Sequence, residues 1–151
     1  VRGYMRQLSE TGKYTVSDRV LRAVQAEFSC GFCTDAQGAQ TIGKTFRENH
    51  YLLDTHTAVA CTVLDAYRSG TGDQTLTVVE STASPFKFCA SVLDALGVTE
   101  HAPGTGVLGQ LTAETGRPAP TPLASLAGKP VRFDQVTDRG DMRAVVTEFL
   151  R

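Results

Sequence analysis

The sequence lacks three features that would each indicate a class of partner or a location. Its charges almost cancel, with 15 lysines and arginines against 16 aspartates and glutamates, and no basic cluster is present. Nucleic-acid-binding proteins usually carry such a cluster, so we expect no nucleic-acid partner. No apolar run approaches the roughly 20 residues that span a bilayer, and no segment is typical of a signal peptide. We therefore expect no membrane partner and a cytoplasmic location.

Cysteine is also scarce, with four residues at Cys30, Cys33, Cys61 and Cys89. Cys30 and Cys33 have the spacing of a thioredoxin-type redox pair or of half a zinc site. A zinc site would need a second Cys or His pair at short spacing, and a redox pair would need the second helix of a βαβ unit to start near it. We expect four free, mostly buried thiols and no metal site. A Cys30/Cys33 redox protein is an alternative.

What the sequence does have is enough apolar residues for one compact domain, since 41% of its 151 residues are hydrophobic. The chain is organised around residues 75–88. An apolar run at residues 76–79 predicts a strand buried on both faces. A polar turn at residues 81–84 follows, and Ser84 with Pro85 predicts a helix start. Ligands bind beyond the carboxyl ends of parallel strands, so we expect this turn to face a ligand.

The same alternation continues along the chain. Short apolar runs at residues 28–33, 50–53, 76–79 and 131–136 predict strands, and helices are predicted after Ser17, Thr34, Asp54 and Ser84 and from Gly140. This pattern predicts an α/β fold with a mainly parallel sheet flanked by helices. The apolar positions expected to face inward are Val20, Leu21, Val24 and Phe28; Ile42 and Phe46; Val59, Val63, Leu64 and Tyr67; Cys89, Val92, Leu93 and Leu96; and Met142, Val145, Val146, Phe149 and Leu150.

Two segments resemble a known family. Residues 51–60, YLLDTHTAVA, resemble the segment Y-L-[IL]-D-[PT]-H-T-A-V, and residues 81–88, STASPFKF, resemble S-T-A-[SH]-P-A-K-F. Both segments belong to threonine synthase, a pyridoxal-phosphate enzyme of the tryptophan synthase β-subunit fold type, also called fold type II. The match extends over about residues 10–98 in the same order and spacing. One departure is Phe86, which stands where alanine is usual.

The resemblance implies the C-terminal portion of a phosphate-eliminating lyase. The whole enzyme would convert O-phosphohomoserine and water to threonine and phosphate, with pyridoxal phosphate as cofactor. In the family, the lysine that forms the Schiff base lies upstream in a segment like S-F-K-D, which no lysine of this chain matches. We therefore expect that this chain contains no catalytic residue and that the isolated chain is inactive. Its expected partner is the N-terminal remainder of the same enzyme. The start at Val1 without a methionine agrees with a piece of a longer protein.

This resemblance also suggests a division of the chain. Residues 1–98 would be the C-terminal part of the cofactor-binding α/β domain. Residues 99–130 contain five of the six prolines and read as a Gly/Pro-rich surface excursion. Residues 131–151 would be a closing strand and a C-terminal helix. A sheet that awaits strands from elsewhere would leave an edge open to self-association.

The resemblance assigns the cofactor-binding hydroxyl to Thr82, at the family position that faces the pyridine nitrogen, with Ser81 as the next candidate. A neutral hydroxyl can donate to an unprotonated ring nitrogen, which suits elimination and replacement at the β and γ carbons. The alternative is that Thr82 only bonds the backbone of the turn.

His56 and Lys87 are candidate substrate-binding residues. His56 lies with Asp54 at a predicted helix N-terminus, which favours an anionic group such as the substrate phosphate. The alternative is that Asp54 caps the helix and His56 is a structural, hydrogen-bonded residue. Lys87 lies in a predicted first helical turn, where the helix dipole disfavours a cation. An anionic partner would explain a lysine at this position, and a solvated lysine is equally consistent with the sequence. A non-catalytic α/β binding or assembly module of the same fold is the remaining alternative.

Overall fold

Helices account for the regular structure of this chain. The computed structural model describes residues 1–150, and eight α-helices and three short 3₁₀ turns lie among them. The α-helices are α1 (Arg2–Thr11), α2 (Asp18–Glu27), α3 (Asp35–Asn49), α4 (Thr55–Thr71), α5 (Cys89–Ala95), α6 (Gly106–Thr115), α7 (Thr121–Ala124) and α8 (Met142–Phe149). The 3₁₀ turns are Pro85–Lys87, Ser125–Gly128 and Arg139–Asp141.

Local capping explains where three of these helices begin. The Ser17 hydroxyl accepts a hydrogen bond from the Val20 amide at the start of α2. Thr34 and Gln37 form a reciprocal capping box at the start of α3, and Asp54 caps α4. Such side chains satisfy amides that have no partner within the helix. The helix starts predicted after Ser17, Thr34 and Asp54 are therefore confirmed.

The hydrophobic core lies between α3, α4, α5 and α6. Its buried members are Ile42, Leu52, Leu53, Ala58, Phe86, Cys89, Val92, Leu93 and Leu111. Helices α3 and α5 approach closely at Gly43, because a Cβ atom there would lie 2.6 Å from the Ala95 carbonyl oxygen. The far end of α6 is tied to α3, since the Arg117 guanidinium donates a hydrogen bond to the carbonyl of His50.

The predicted parallel sheet is not found: no strand occurs anywhere in residues 1–150. A strand requires backbone hydrogen bonds to a neighbouring strand, and the four predicted segments make none to one another. The side chains of the central segment show the same lack of a neighbour, since Leu76 is 93% exposed and Val78 is 86% exposed. The helices of the predicted α/β architecture are found, and the sheet is not confirmed within residues 1–150.

The predicted inward faces are right for two helices. In α5, Cys89, Val92 and Leu93 are buried as expected, and Leu96 at its end is half-buried. Ile42 of α3 is buried and Phe46 packs against the same cluster. In α4 the prediction is partly wrong, because Val63 and Leu64 are half-buried while Val59 and Tyr67 are exposed. The residues that α4 buries instead are Thr57 and Ala58.

The inward faces predicted for α2 and α8 are mostly wrong, because only Val20 and Val145 among them are half-buried and the others are exposed. Phe28 is 73% exposed, and Phe149 and Leu150 are each 76% exposed. Neither helix buries any residue. Both helices have the expected apolar stripe, but no other element among the described residues covers it.

The region 99–130 is anchored to the core by α6. Leu111 is fully buried against α5. The Gln110 side chain accepts from the Ala102 amide at 2.8 Å and donates to the Glu100 carbonyl at 2.7 Å, which fixes the loop before α6. This region also contains α7 and the 3₁₀ turn Ser125–Gly128. The three-part division of the chain stays a prediction. No helix within the described part of the chain has the length and apolar character needed to cross a membrane.

Candidate functional site

The centre of the candidate site is Asp54, whose side chain is fully buried at the start of α4. One carboxylate oxygen, Oδ1, accepts hydrogen bonds from the amides of His56 at 2.9 Å and Thr57 at 3.4 Å. The other, Oδ2, accepts a short hydrogen bond from the Thr57 hydroxyl. Burial by itself would raise the pKa of Asp54, but these hydrogen bonds outweigh it and hold the pKa below its usual value of 3.8. Asp54 is therefore a buried carboxylate at neutral pH.

This carboxylate reaches across to the turn that follows the predicted central strand. The Thr57 hydroxyl lies 3.1 Å from Ser81 Oγ, and Ser81 Oγ donates to Asp54 Oδ2 at 3.5 Å. Sequence reasoning identified Asp54 as a helix cap but missed its contact with Ser81. The two residues are 27 positions apart, and no local pattern connects them. The two segments that resemble the family thus meet in space at these three side chains.

Thr82, the next residue, is exposed. Its hydroxyl makes no hydrogen bond with any residue that the structure describes, whereas Ser81 beside it is engaged. The alternative interpretation, in which Thr82 bonds the turn backbone, therefore has no support from the geometry. A hydroxyl that is accessible and has no partner among residues 1–150 can serve a ligand.

The start of the next helix differs slightly from the prediction. Ser84 Oγ accepts from the Phe86 amide at 3.3 Å, as expected of a cap, but residues Pro85–Lys87 form a 3₁₀ turn. Helix α5 begins only at Cys89, whose thiol donates to the Phe86 carbonyl at 3.2 Å. Phe86 is buried in the core, so its ring anchors the turn.

The two candidate substrate residues are His56, at the start of α4, and Lys87, the last residue of this turn. The His56 side chain is 68% exposed, and its Nδ1 lies 3.4 Å from Asp54 Oδ1. Its ring also lies 5.0 Å from the Phe88 ring, centre to centre. Lys87 is exposed and forms no ion pair within residues 1–150. The substrate-binding roles of His56 and Lys87 stay predictions.

The cysteines are distributed differently from the expectation. All four are free, but only Cys89 is buried, and Cys30 is exposed. Cys30 lies in the segment between α2 and α3. Burial raises the pKa of the Cys89 thiol. No group of three or more potential metal ligands occurs among the residues described.

Comparison with solved structures shows where this fold occurs. A threonine synthase from Brucella melitensis, described as bound to PLP, superposes with a TM-score of 0.69 and 28% sequence identity. The match covers 99% of this chain and 27% of that chain. The arrangement of helices is therefore one that forms part of a pyridoxal-phosphate enzyme.

Comparison with known sequences identifies the family. The family described as "Threonine synthase, C-terminal" matches residues 57–147, which is more than half of the chain. The chain belongs to this threonine synthase C-terminal family, as the two sequence segments indicated.

Relatives in several organisms agree with this result. Threonine synthase of Saccharomyces cerevisiae is 27% identical over 101 residues, which cover 64% of this chain and 20% of the yeast protein. Threonine synthase of Schizosaccharomyces pombe is 32% identical over 94 residues, or 62% of this chain and 18% of that protein. Human "Threonine synthase-like 1" is 27% identical over 94 residues, which cover 62% of this chain and 12% of the human protein. The chain thus spans a fifth or less of the length of these relatives.

Proposed function

We propose that this chain is the C-terminal portion of a threonine synthase, which converts O-phosphohomoserine and water to threonine and phosphate with pyridoxal phosphate. One observation carries the proposal: the family match at residues 57–147 includes a turn that presents Thr82 with an accessible hydroxyl. The similarity to a threonine synthase described as PLP-bound supports the choice of cofactor. The enzyme would be a cytoplasmic lyase of fold type II.

The available hydroxyl fits the chemistry of the cofactor. When bound, pyridoxal phosphate supplies an electron sink for reactions at the β and γ carbons of an amino acid. Thr82 would donate its hydroxyl proton to the ring nitrogen. A carboxylate at that position would hold the nitrogen protonated, whereas a neutral hydroxyl leaves it unprotonated. Thr82 would thereby set the strength of the electron sink without carrying a charge itself.

The residues around the turn fit an anionic substrate. His56 stands at the N-terminal end of α4, where the helix dipole favours negative charge, and its ring is accessible. Lys87 is an exposed cation at the end of the 3₁₀ turn, next to Phe88, whose ring packs against that of His56. We assign the substrate phosphate group to the space that these two side chains border.

The rest of the enzyme would supply the lysine that holds the cofactor and the strands that pair with residues 76–79. Leu76 and Val78 support this partnership, because they expose apolar side chains that a neighbouring strand and helix would cover. Lys13, Lys44, Lys87 and Lys129 do not lie in a segment like S-F-K-D. We therefore propose that the isolated chain is inactive.

The test uses the complete protein that carries this sequence, purified with pyridoxal phosphate. It should show the absorbance of bound cofactor and release phosphate from O-phosphohomoserine, while the isolated chain should do neither. Thr82→Val should shift the cofactor absorbance and lower kcat about tenfold, the rate equivalent of a hydrogen bond worth about 1.4 kcal/mol.

Thr99→Val is the matched control, because Thr99 is also exposed and its hydroxyl has no partner within the described chain. Thr99→Val should have the same cofactor absorbance and the same kcat as the wild-type enzyme. A complete protein that binds no pyridoxal phosphate would overturn the proposal and favour a non-catalytic module of the same fold. Equal behaviour of the two valine variants would remove Thr82 from the cofactor site.

A further inference from the structure

The three side chains that join α4 to the turn share too few protons for all their contacts. Thr57 and Ser81 each have one hydroxyl proton, and the Asp54 carboxylate has none. Thr57 Oγ1 is within hydrogen-bonding distance of both Asp54 Oδ2 and Ser81 Oγ, so its proton can serve only one of them. If Thr57 donates to Ser81, the Ser81 proton has Asp54 Oδ2 as its acceptor at 3.5 Å. If Thr57 donates to Asp54, the Ser81 proton can go to Thr57 Oγ1 at 3.1 Å or to Asp54 Oδ2, so its acceptor lies within the three side chains in both arrangements. The Ser81 proton is therefore directed inward.

Burial makes this arrangement costly to break. The Asp54 side chain has no exposed surface, and Thr57 is buried beside it. A buried carboxylate that loses a donor, or a buried hydroxyl that loses its acceptor, costs about 1–3 kcal/mol. Turning the Ser81 proton towards a ligand would take one donor away from Asp54 or from Thr57, whereas Thr82 can donate without breaking any contact within the described chain.

We propose that Asp54 is a positioning residue, which holds Ser81 through a hydrogen-bonded triangle with Thr57 and so leaves Thr82 as the hydroxyl donor of the turn. The inference rests on the proposed function, since the acceptor of the Thr82 proton is the cofactor ring. Asp54 itself contacts neither cofactor nor substrate. It acts by fixing the backbone of residues 81–82 against the start of α4.

The experiment measures the dissociation constant of pyridoxal phosphate and the absorbance of the bound cofactor in the complete protein. Thr82→Val should shift the absorbance, and Thr82→Ser should restore it because the hydroxyl is kept. Ser81→Ala should leave the absorbance of the saturated protein unchanged and weaken cofactor binding by about tenfold. Asp54→Asn should resemble Ser81→Ala, since asparagine still caps a helix well, while an amide nitrogen in place of Oδ2 can no longer accept from Thr57 or Ser81.

The decisive measurement is a double-mutant cycle between Asp54→Asn and Thr82→Val. If Asp54 acts by placing Thr82, then Asp54→Asn should weaken cofactor binding about tenfold in the wild-type protein. In the Thr82→Val background the same substitution should weaken cofactor binding less than twofold. A purely structural Asp54 would give the same loss in both backgrounds, which would overturn the inference.

Other outcomes separate this inference from the proposed function. If Thr82→Val has no effect, the assignment of Thr82 fails, and the inference fails with it. If Ser81→Ala shifts the cofactor absorbance more than Thr82→Val does, the enzyme assignment survives but the inward direction of the Ser81 proton is refuted. Thr57→Val gives a second route to the same triangle and should reproduce the effect of Asp54→Asn.

Discussion

Gly43 gives the sharpest test of how the core is assembled. An alanine in the middle of a helix is normally more favourable than glycine by about 0.5–1 kcal/mol. At Gly43, however, the added Cβ would lie 2.6 Å from the Ala95 carbonyl oxygen and 3.0 Å from Arg47 Nη1. The Arg47 side chain is exposed and can move, but the Ala95 carbonyl belongs to the backbone of α5.

The expected magnitude follows from the distance that must be recovered. An ordinary contact between carbon and a carbonyl oxygen is about 3.3–3.6 Å, so α5 would have to move by several tenths of an ångström or more. Overpacking of this kind costs about 1–3 kcal/mol. Subtracting the gain in helix propensity leaves Gly43→Ala less stable by about 0.5–2 kcal/mol.

Gly109 provides a matched control within the chain. It lies inside α6, and a Cβ there would meet nothing within 4 Å. Gly109→Ala should therefore stabilise the protein by about 0.5–1 kcal/mol. Urea unfolding followed by far-ultraviolet circular dichroism should show midpoints that move in opposite directions at unchanged slope. If Gly43→Ala moves the midpoint upward as Gly109→Ala does, the close approach of α3 and α5 is refuted.

Three further predictions follow from burial and charge. Leu93→Ala should lower the free energy of unfolding by about 2–5 kcal/mol. Val146→Ala is the control, because its side chain is 56% exposed, and it should change the free energy of unfolding by less than about 0.5 kcal/mol. Equal losses of stability in urea unfolding would contradict the assigned core. The pKa of Asp54 is lower in the folded state, so its contribution to stability should be complete above its usual pKa and be lost as the pH falls through the folded-state pKa. Asp54→Asn should reduce this loss of stability in an acid titration monitored by circular dichroism. An unchanged titration profile would refute the contribution of Asp54 to the pH dependence of stability. A thiol-reactive disulfide reagent should label exposed Cys30 well before Cys89, whose pKa is raised by burial; faster labelling of Cys89 in the folded protein would contradict its burial.

The features that the sequence predicted well are those that depend on near neighbours in the chain. The starts of α2, α3 and α4 were predictable because Ser17, Thr34 and Asp54 each cap amides two or three residues away. The buried face of α5 was predictable because Cys89, Val92 and Leu93 repeat at the helical period.

The features that the structure does not confirm depend on distant neighbours. Residues 76–79 have the composition of a buried strand, but composition cannot supply the hydrogen-bonding partner that a strand needs. The apolar stripe of α8 likewise predicts that one face of the helix is covered, but it does not predict which surface covers that face. The contact of Ser81 with Asp54 joins the two motifs through folding alone, so the sequence indicated both halves of the candidate site without showing that they touch.

The hydrogen bond from Arg117 to the His50 carbonyl has a consequence for proteolysis. It fastens the end of α6 to the end of α3 and closes the stretch 50–117. Apart from Ile42, which lies in α3 itself, all the buried core residues fall inside that stretch. Helices α1, α2 and α8 lie outside that stretch and bury nothing. A protease that trims from both ends should therefore stall on a resistant fragment running from about Thr34 to just beyond Arg117, with the Asp54–Ser81 contact still inside it.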